Sequence, residues 1–186
     1  RSFRSAADLA LEVSATGFIP GTNFSTTITG KIGVDRSAPP HSALTASLSI
    51  PYAGEWSFRV TQNEVNFLGS PKLVEVVAGP TNPASCTASL PSVIKAGETF
   101  TASIAPRDRL QNPTAHPADS FKIYLGDDPS DATTLPGLTF SDAMTSAGSK
   151  KLHIIHDLDG VETEIAGSPF GLEVLASDAA AATSTH

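Results

Sequence analysis

The stretch Ile165-Ala166-Gly167-Ser168-Pro169-Phe170, continued by Leu172 and Val174, decides how this chain is read, because its centre occurs twice. Gly69-Ser70-Pro71 stands 98 residues before Gly167-Ser168-Pro169. Each copy is preceded by a second shared feature. Ala53-Gly54 and Ala147-Gly148, 94 residues apart, each open an alternating run: Trp56, Phe58, Val60 in the first, Lys150, Leu152, Ile154 in the second. A period of two sets every second side chain on one face of a strand. The same strand and the same Gly-Pro turn, met twice in the same order, indicate a duplicated β unit.

A third match lies further upstream. Gly21-Thr22-Asn23-Phe24-Ser25-Thr26-Thr27-Ile28 aligns with Gly97-Glu98-Thr99-Phe100-Thr101-Ala102-Ser103-Ile104 at an offset of 76. The offset therefore grows from 76 through 94 to 98, so the copies are collinear but unequal. The first step makes residues 31–42 answer to residues 107–136, which predicts a first copy short of a strand and a half after its second strand. The second step places four extra residues of the later copy around Asp157-Leu158-Asp159-Gly160, where Asp-Gly signals a hairpin, and predicts a longer loop there. Alternation continues through Leu9, Leu11, Val13; Leu44, Ala46, Leu48, Ile50; Val74, Val76; Phe121, Ile123, Leu125; and Leu138, Phe140. Short strands separated by Gly, Pro, Asn and Asp describe an all-β sandwich for each copy, with no amphipathic helix.

Composition bounds the function. The 186 residues suffice for one large or two small domains, and 14 Gly with 14 Pro at 17% charged residues describe a loop-rich globular chain. Nineteen acidic against 12 basic residues give a net charge of −7, the wrong sign for tracking phosphates, so nucleic acid is not an expected partner. No apolar run reaches the ~18 residues of a membrane span, and residues 1–8 have no signal-type apolar segment, so membrane insertion is not expected. The one cysteine, Cys86, rules out an internal disulfide or a multi-thiolate metal site and favours a reducing compartment.

Ala147-Gly148, the alternating strand, a hairpin and Ile165-Ala166-Gly167-Ser168-Pro169-Phe170 together resemble the C-terminal half of a filamin-type immunoglobulin repeat. Ala96-Gly97-Glu98-Thr99-Phe100, followed by Arg107-Asp108 and Asn112, is similar to the second strand of that family and the Asp-to-Asn turn after it. The resemblance covers residues 81–176 well and residues 8–79 less closely. Lys72 stands where the family has Phe, so that strand is expected to start less buried. The resemblance implies two tandem immunoglobulin-like (filamin-type) β-sandwiches. The first would occupy residues 1–79, shortened between strands B and E in its C–D region; the second would occupy 80–176, followed by a flexible tail, 177–186. Two prolines near residues 80–83 stiffen the link.

In filamin-type repeats partner peptides add as an extra strand beside strands C and D, which implies a receiving groove in the second copy and a poorer one in the first. Strand C is expected over residues 118–126 and strand D near 131–135. Phe121, Ile123 and Leu125 then face the core, and Lys122 and Tyr124 face outward. The candidate partner-binding residues are Lys122, Tyr124, Thr133 and Thr134. An edge strand offers unpaired N–H and C=O groups that an extended peptide satisfies.

No residues assemble a reaction. Gly-x-Ser-x-Gly, a phosphate loop and His-Glu-x-x-His are all absent. His153 and His156, the closest pair among His41, His116, His153, His156 and His186, fall on opposite faces of a strand, His153 toward solvent and His156 at the strand end. Asp127, Asp128, Asp131, Asp157 and Asp159 lack calcium-loop spacing and read as turn formers. Cys86 has no basic neighbour to activate it and reads as an inert, partly buried thiol; Trp56 reads as core.

The expectation is a non-catalytic spacer and interaction module of a larger scaffold, cytoplasmic and cytoskeletal or ciliary. Its partner would be a protein or extended peptide, bound without cofactor or metal. The alternative is an extracellular adhesion segment, since filamin-type repeats also resemble parts of gamete surface proteins, and Asn23-Phe24-Ser25 fits a glycosylation acceptor.

Overall fold

A computed structural model of the chain describes residues 10–35, 43–115 and 119–177. Leu9, His41, His116, His186 and the predicted tail beyond residue 177 lie outside the described residues. The chain divides into two compact units, Arg1–Ala78 and Gly79–His186. The first contains β1 (Leu11–Phe18), β2 (Ser25–Thr29), β3 (Lys31–Asp35), β4 (Ala43–Ser47), β5 (Gly54–Gln62), β6 (Val65–Asn66) and β7 (Lys72–Val76). The second contains β8 (Thr87–Ser89), β9 (Val93–Lys95), β10 (Thr99–Ala105), β11 (Ser120–Leu125), β12 (Thr133–Thr134), β13 (Thr139–Ala143), β14 (Gly148–Leu158), β15 (Val161–Glu164) and β16 (Phe170–Leu175). Each unit is an all-β, immunoglobulin-like pair of sheets.

In unit 2 one sheet runs β13-β10-β8, and the other runs β12-β11-β14-β16-β9 with β15 also on β14. Period-two alternation supplies the core between them. β10 buries Phe100, Ala102 and Ile104 and exposes the residues between. Opposite, β14 aligns Leu152, Ile154 and His156 with Leu125, Ile123 and Phe121 of β11, all facing inward. Each large apolar side chain so buried is worth ~1.5–3 kcal/mol.

The repeated Gly-Ser-Pro has a physical reason. Where the chain turns between β15 and β16, a serine hydroxyl supplies the acceptor that a backbone N–H of β14 needs. The Ile154 N–H donates to Ser168 Oγ at 3.0 Å, and the Ser168 N–H closes the turn onto the Ile165 carbonyl at 3.1 Å. Unit 1 repeats both bonds: the Val60 N–H donates to Ser70 Oγ at 2.8 Å and the Ser70 N–H to the Phe67 carbonyl at 2.9 Å. Gly69 and Gly167 hold φ of 85° and 86°, as the third residue of such a turn requires. Both Ser-Pro bonds are cis.

Two expectations are corrected. The four extra residues of the later copy do not enlarge a loop. Both hairpins turn on two residues of positive φ, Asn63-Glu64 and Asp159-Gly160. What grows is the hairpin, with β14 at 11 residues against 9 in β5, and β15 at 4 against 2 in β6.

The second correction concerns which strands unit 1 possesses. β1 pairs antiparallel with β5, Val13 opposite Val60 and Ala15 opposite Phe58, in the way β11 pairs with β14. β2 then lies on the outer edge of β1, as β12 lies on β11. Residues 25–29 therefore hold the fourth-strand position rather than the second, and the match to residues 97–104 reflects shared alternation, not shared place. The C–D region of unit 1 is present. Its D strand crosses between sheets at Gly30, whose N–H donates to the Val13 carbonyl at 2.9 Å. A Cβ on Gly30 would stand 2.5 Å from the Ser47 carbonyl, so only glycine lets the chain pass from β1 to β4. β3 continues from there and pairs with β4. Among the described residues, unit 1 has no counterpart of β8 or β10. Its buried apolar residues are Val13, Ala15 and Trp56, whereas unit 2 buries a cluster of 14. Trp56 donates its indole N–H to the Tyr52 carbonyl at 3.0 Å. Lys72, as expected, opens β7 exposed.

The Asp-to-Asn turn of unit 2 is tied by one buried carboxylate. Asp108 Oδ1 accepts from the N–H groups of Leu110 and Asn112, and Oδ2 from the Gly79 N–H and the Asn112 side-chain amide. Burial pushes its pKa up, but the Asn112 amide and the three backbone donors outweigh it and hold the carboxyl below its ordinary range.

Two outcomes follow. Ser70→Ala should lower the stability of unit 1 by about 1 kcal/mol, read in urea by the fluorescence of Trp56, the chain's sole tryptophan; an unchanged midpoint contradicts the hydroxyl's role. For Asp108 the depressed folded-state pKa means its stabilisation is complete above the unfolded value of about 3.9 and is lost as pH falls through the lower folded value. Asp108→Asn should cost unit 2 about 2 kcal/mol at pH 7 and flatten the fall in its melting temperature below pH 4, checked by calorimetry across pH.

Candidate functional site

The receiving position implied for the second copy is built by β11, β12 and β13. Antiparallel pairing alternates the direction of backbone groups along a strand. The Gly126 N–H donates to the Lys151 carbonyl, which turns Tyr124 and Lys122 backbone groups toward β14 and those of Phe121, Ile123 and Leu125 toward the other edge. On that edge β12 takes only part: Ile123 aligns with Thr133, and the Leu135 N–H donates to the Phe121 carbonyl at 2.8 Å. Before Thr133 the chain peels away through one 3-10 turn, Pro129–Asp131, capped by Asp128, whose Oδ1 accepts from the Ser130 N–H at 2.9 Å. Leu125 is left with an unextended edge.

A cleft of about 380 Å³ opens there, with Leu125, Phe140, Met144 and Leu152 beneath it and Tyr124, Thr133, Asp131 and Asp142 around it. Phe140 is fixed edge-on against Phe100, ring centres 5.8 Å apart. Its far wall is β13, which pairs with β10 through the alternate residues: the Met144 and Leu138 carbonyls accept from Gly97 and Ile104. The backbone groups of Thr139, Ser141 and Ala143 therefore face the cleft side. Two strand edges and an apolar floor thus meet at one place.

The four candidate residues divide. Tyr124 and Thr133 line the cleft; Lys122 and Thr134 pair with each other beside it. As expected, Lys122 and Tyr124 stand on the outer face of the sheet, but neither is idle. Lys122 Nζ lies 2.7 Å from Asp157 and 2.5 Å from Glu162, and these carboxylates raise its pKa while Lys122 lowers that of Asp157. Tyr124 stacks on His153 with ring centres 4.3 Å apart and planes 7° from parallel. Burial, with Glu164 and Asp127 nearby, pushes the Tyr124 phenol up. His153, expected to face solvent, is instead covered by this stack: its side chain is 12% exposed, Nδ1 meets Glu164 at 2.6 Å, and Nε2 is enclosed without a partner. Sequence reasoning did not find Phe140, Asp142 or Met144 as lining residues; the first two come from β13 in the opposite sheet and Met144 directly follows it.

The remaining polar groups have structural partners. His156 is buried inside β14 rather than sitting at its end, with Nε2 2.9 Å from Asp119 Oδ1 and its ring against Phe121. Thr81 also gives its hydroxyl to Asp119, and it shares a 2.7 Å contact with Thr114. The hydroxyl and the imidazole meet the carboxylate separately, so this trio does not place a base on a nucleophile. Asp127, in the bend after β11, meets Lys151 at 3.1 Å; Asp157, expected as a turn former, lies in β14 and accepts from the Gly160 N–H of the hairpin that follows. Among the described residues no group of three His, Cys, Asp or Glu is arranged to hold a metal ion, and no helix is long and apolar enough to cross a membrane. Cys86 is fully buried, its thiol 3.3 Å from the Asn82 carbonyl, and burial pushes its pKa up.

No protein-family profile matches the chain, and neither does any curated protein. Among solved structures, FdeC, an adhesin of Escherichia coli, is similar at 16% identity and a TM-score of 0.46, over 89% of this chain and 53% of that one. The chain thus spans about half the length of that adhesin chain.

Proposed function

We propose that the chain is a pair of filamin-type repeats acting as a non-catalytic spacer and interaction module of a larger scaffold, and that unit 2 receives an extended peptide by strand addition. The observation that carries this reading is the cleft where the free edges of β11 and β13 meet above Leu125, Phe140, Met144 and Leu152. Backbone groups on both walls supply sequence-independent hydrogen bonds, and the apolar floor takes every second side chain of the guest. Cytoskeletal or ciliary placement belongs to this reading. It includes no catalytic residues and no cofactor.

A second reading, an extracellular adhesion segment, is favoured by one feature. Asn23 of the Asn23-Phe24-Ser25 acceptor is exposed in the turn between β1 and β2. Glycan on Asn23 in native material supports it; unmodified Asn23 supports the scaffold.

The test of strand addition is a neutral synthetic peptide of alternating Val and Thr, titrated into the 186-residue chain. Tyr124→Glu breaks the stack on His153 and puts charge at the rim, and it should weaken binding about tenfold while unit 2 stays folded with a melting temperature lower by a few degrees. Equal affinity of variant and parent counts against the site.

A further inference from the structure

The cleft of unit 2 has an apolar floor, but its rim carries charge of one sign. Along β13 and the residue after it, Phe140, Asp142 and Met144 share a face by parity; Phe140 is half-buried, Met144 is buried, and Asp142 stands exposed between them. All three line the cleft. A second carboxylate, Asp131, lines it from the β12 side, at the end of the Pro129–Asp131 turn. The lysines of the surrounding strands do not neutralise this pair. Lys122 holds Asp157 and Glu162, and Lys151 meets Asp127 at 3.1 Å. Lys150 shares the inward parity of Leu152 but is not part of the cleft lining. Among the described residues neither Asp131 nor Asp142 has an ion-pair partner; Asp142 Oδ1 accepts from the N–H of Ala143, its neighbour in the chain.

We propose that the guest of this cleft is a cationic strand: an extended segment of a partner protein, apolar at every second position, with an arginine whose guanidinium meets Asp131 and Asp142. The proposal rests on the strand-addition reading and adds the chemistry that selects among extended peptides. Backbone bonding to the edges of β11 and β13 is the same for any sequence, and the floor of Leu125, Phe140, Met144 and Leu152 takes any apolar side chain that fits. Neither discriminates one such segment from another. Charge does: an acidic guest is repelled by both carboxylates, a neutral one leaves them to water, and a cationic one pairs them. Arginine serves two carboxylates better than lysine, because its five donors form a planar fork and it holds its own water less tightly than an ammonium does. The net charge of −7 draws a basic segment toward the chain from a distance, and the rim gives it a place to settle.

The experiment compares the neutral Val-Thr peptide with one set in which each Thr in turn is replaced by Arg and a matching set with Glu. Each is titrated at low salt into the isotope-labelled 186-residue chain, with backbone amide signals locating the site. The best Arg peptide should bind about fivefold tighter than the neutral one and the matching Glu peptide about fivefold weaker, with shifts on residues 123–125 and 139–144. The Arg-to-neutral ratio should fall to about one in the double variant Asp131→Asn, Asp142→Asn. It should persist in Asp159→Asn, a charge removed from the β14–β15 turn at a positive φ that asparagine also adopts. Equal binding of Arg and neutral peptides in the cleft overturns the charge selection while strand addition stands. An Arg preference that survives the double variant, or that falls as far in Asp159→Asn, reports attraction to overall charge and also overturns it. A concentration-dependent dimer of the chain alone that shifts residues 123–125 makes the occupant a second copy and does the same. If no peptide shifts the cleft at millimolar concentration, strand addition and charge selection fall together.

Discussion

The structure depends on one constraint: a long central strand, β5 or β14, must have its backbone satisfied on both edges while alternate side chains enter a dry core. Its neighbours on one side are β1 or β11, and on the other a hairpin that returns as β7 or β16. The return is interrupted by a Gly-Ser-Pro turn, and the serine hydroxyl there supplies the acceptor, at 2.8 Å from Val60 N in one unit and 3.0 Å from Ile154 N in the other. Without that bond the central strand has a partly buried, unpartnered N–H near its midpoint, at a cost of about 1 kcal/mol.

The same constraint explains where partners can add. Unit 2 satisfies most of β11 and β13 internally and leaves a short double edge above an apolar floor. Unit 1 has neighbours on both sides of β5, but among the described residues β4 pairs with β3 alone. The two open edges are therefore different in kind. One is a cleft of about 380 Å³ beside a closely packed core, and the other is an edge where, among the described residues, Leu44 stays 47% exposed.

Much of this was legible in the residues. Period two marked nearly every strand, and Gly-Ser-Pro located the return strand in both units because a rare local geometry demands those residue types in that order. Outward Lys122 and Tyr124 followed from parity alone. Strand identity was not legible: Phe24-Ser25-Thr26-Thr27-Ile28 alternates as well as Phe100-Thr101-Ala102-Ser103-Ile104, and nothing local says which neighbour a strand pairs with. Gly30 held the clue, since a glycine between two alternating runs marks a close backbone approach. His156 was likewise readable, being next in parity after Leu152 and Ile154, but the partner that lets it be buried, Asp119, lies 37 residues away. The cleft was half legible for the same reason, because Phe140 reaches it from another sheet and Met144 directly follows that strand.

Amide hydrogen exchange on the intact chain tests the central assignment most directly, namely that unit 1 has β1 in the place of β11 and, among the described residues, has β3 as the one strand paired with β4. The account predicts slow exchange through residues 14–17, paired on both edges, and exchange at near-intrinsic rates for Leu44 and Ala46. Protected Leu44 and Ala46 together with fast exchange through residues 14–17 would contradict it.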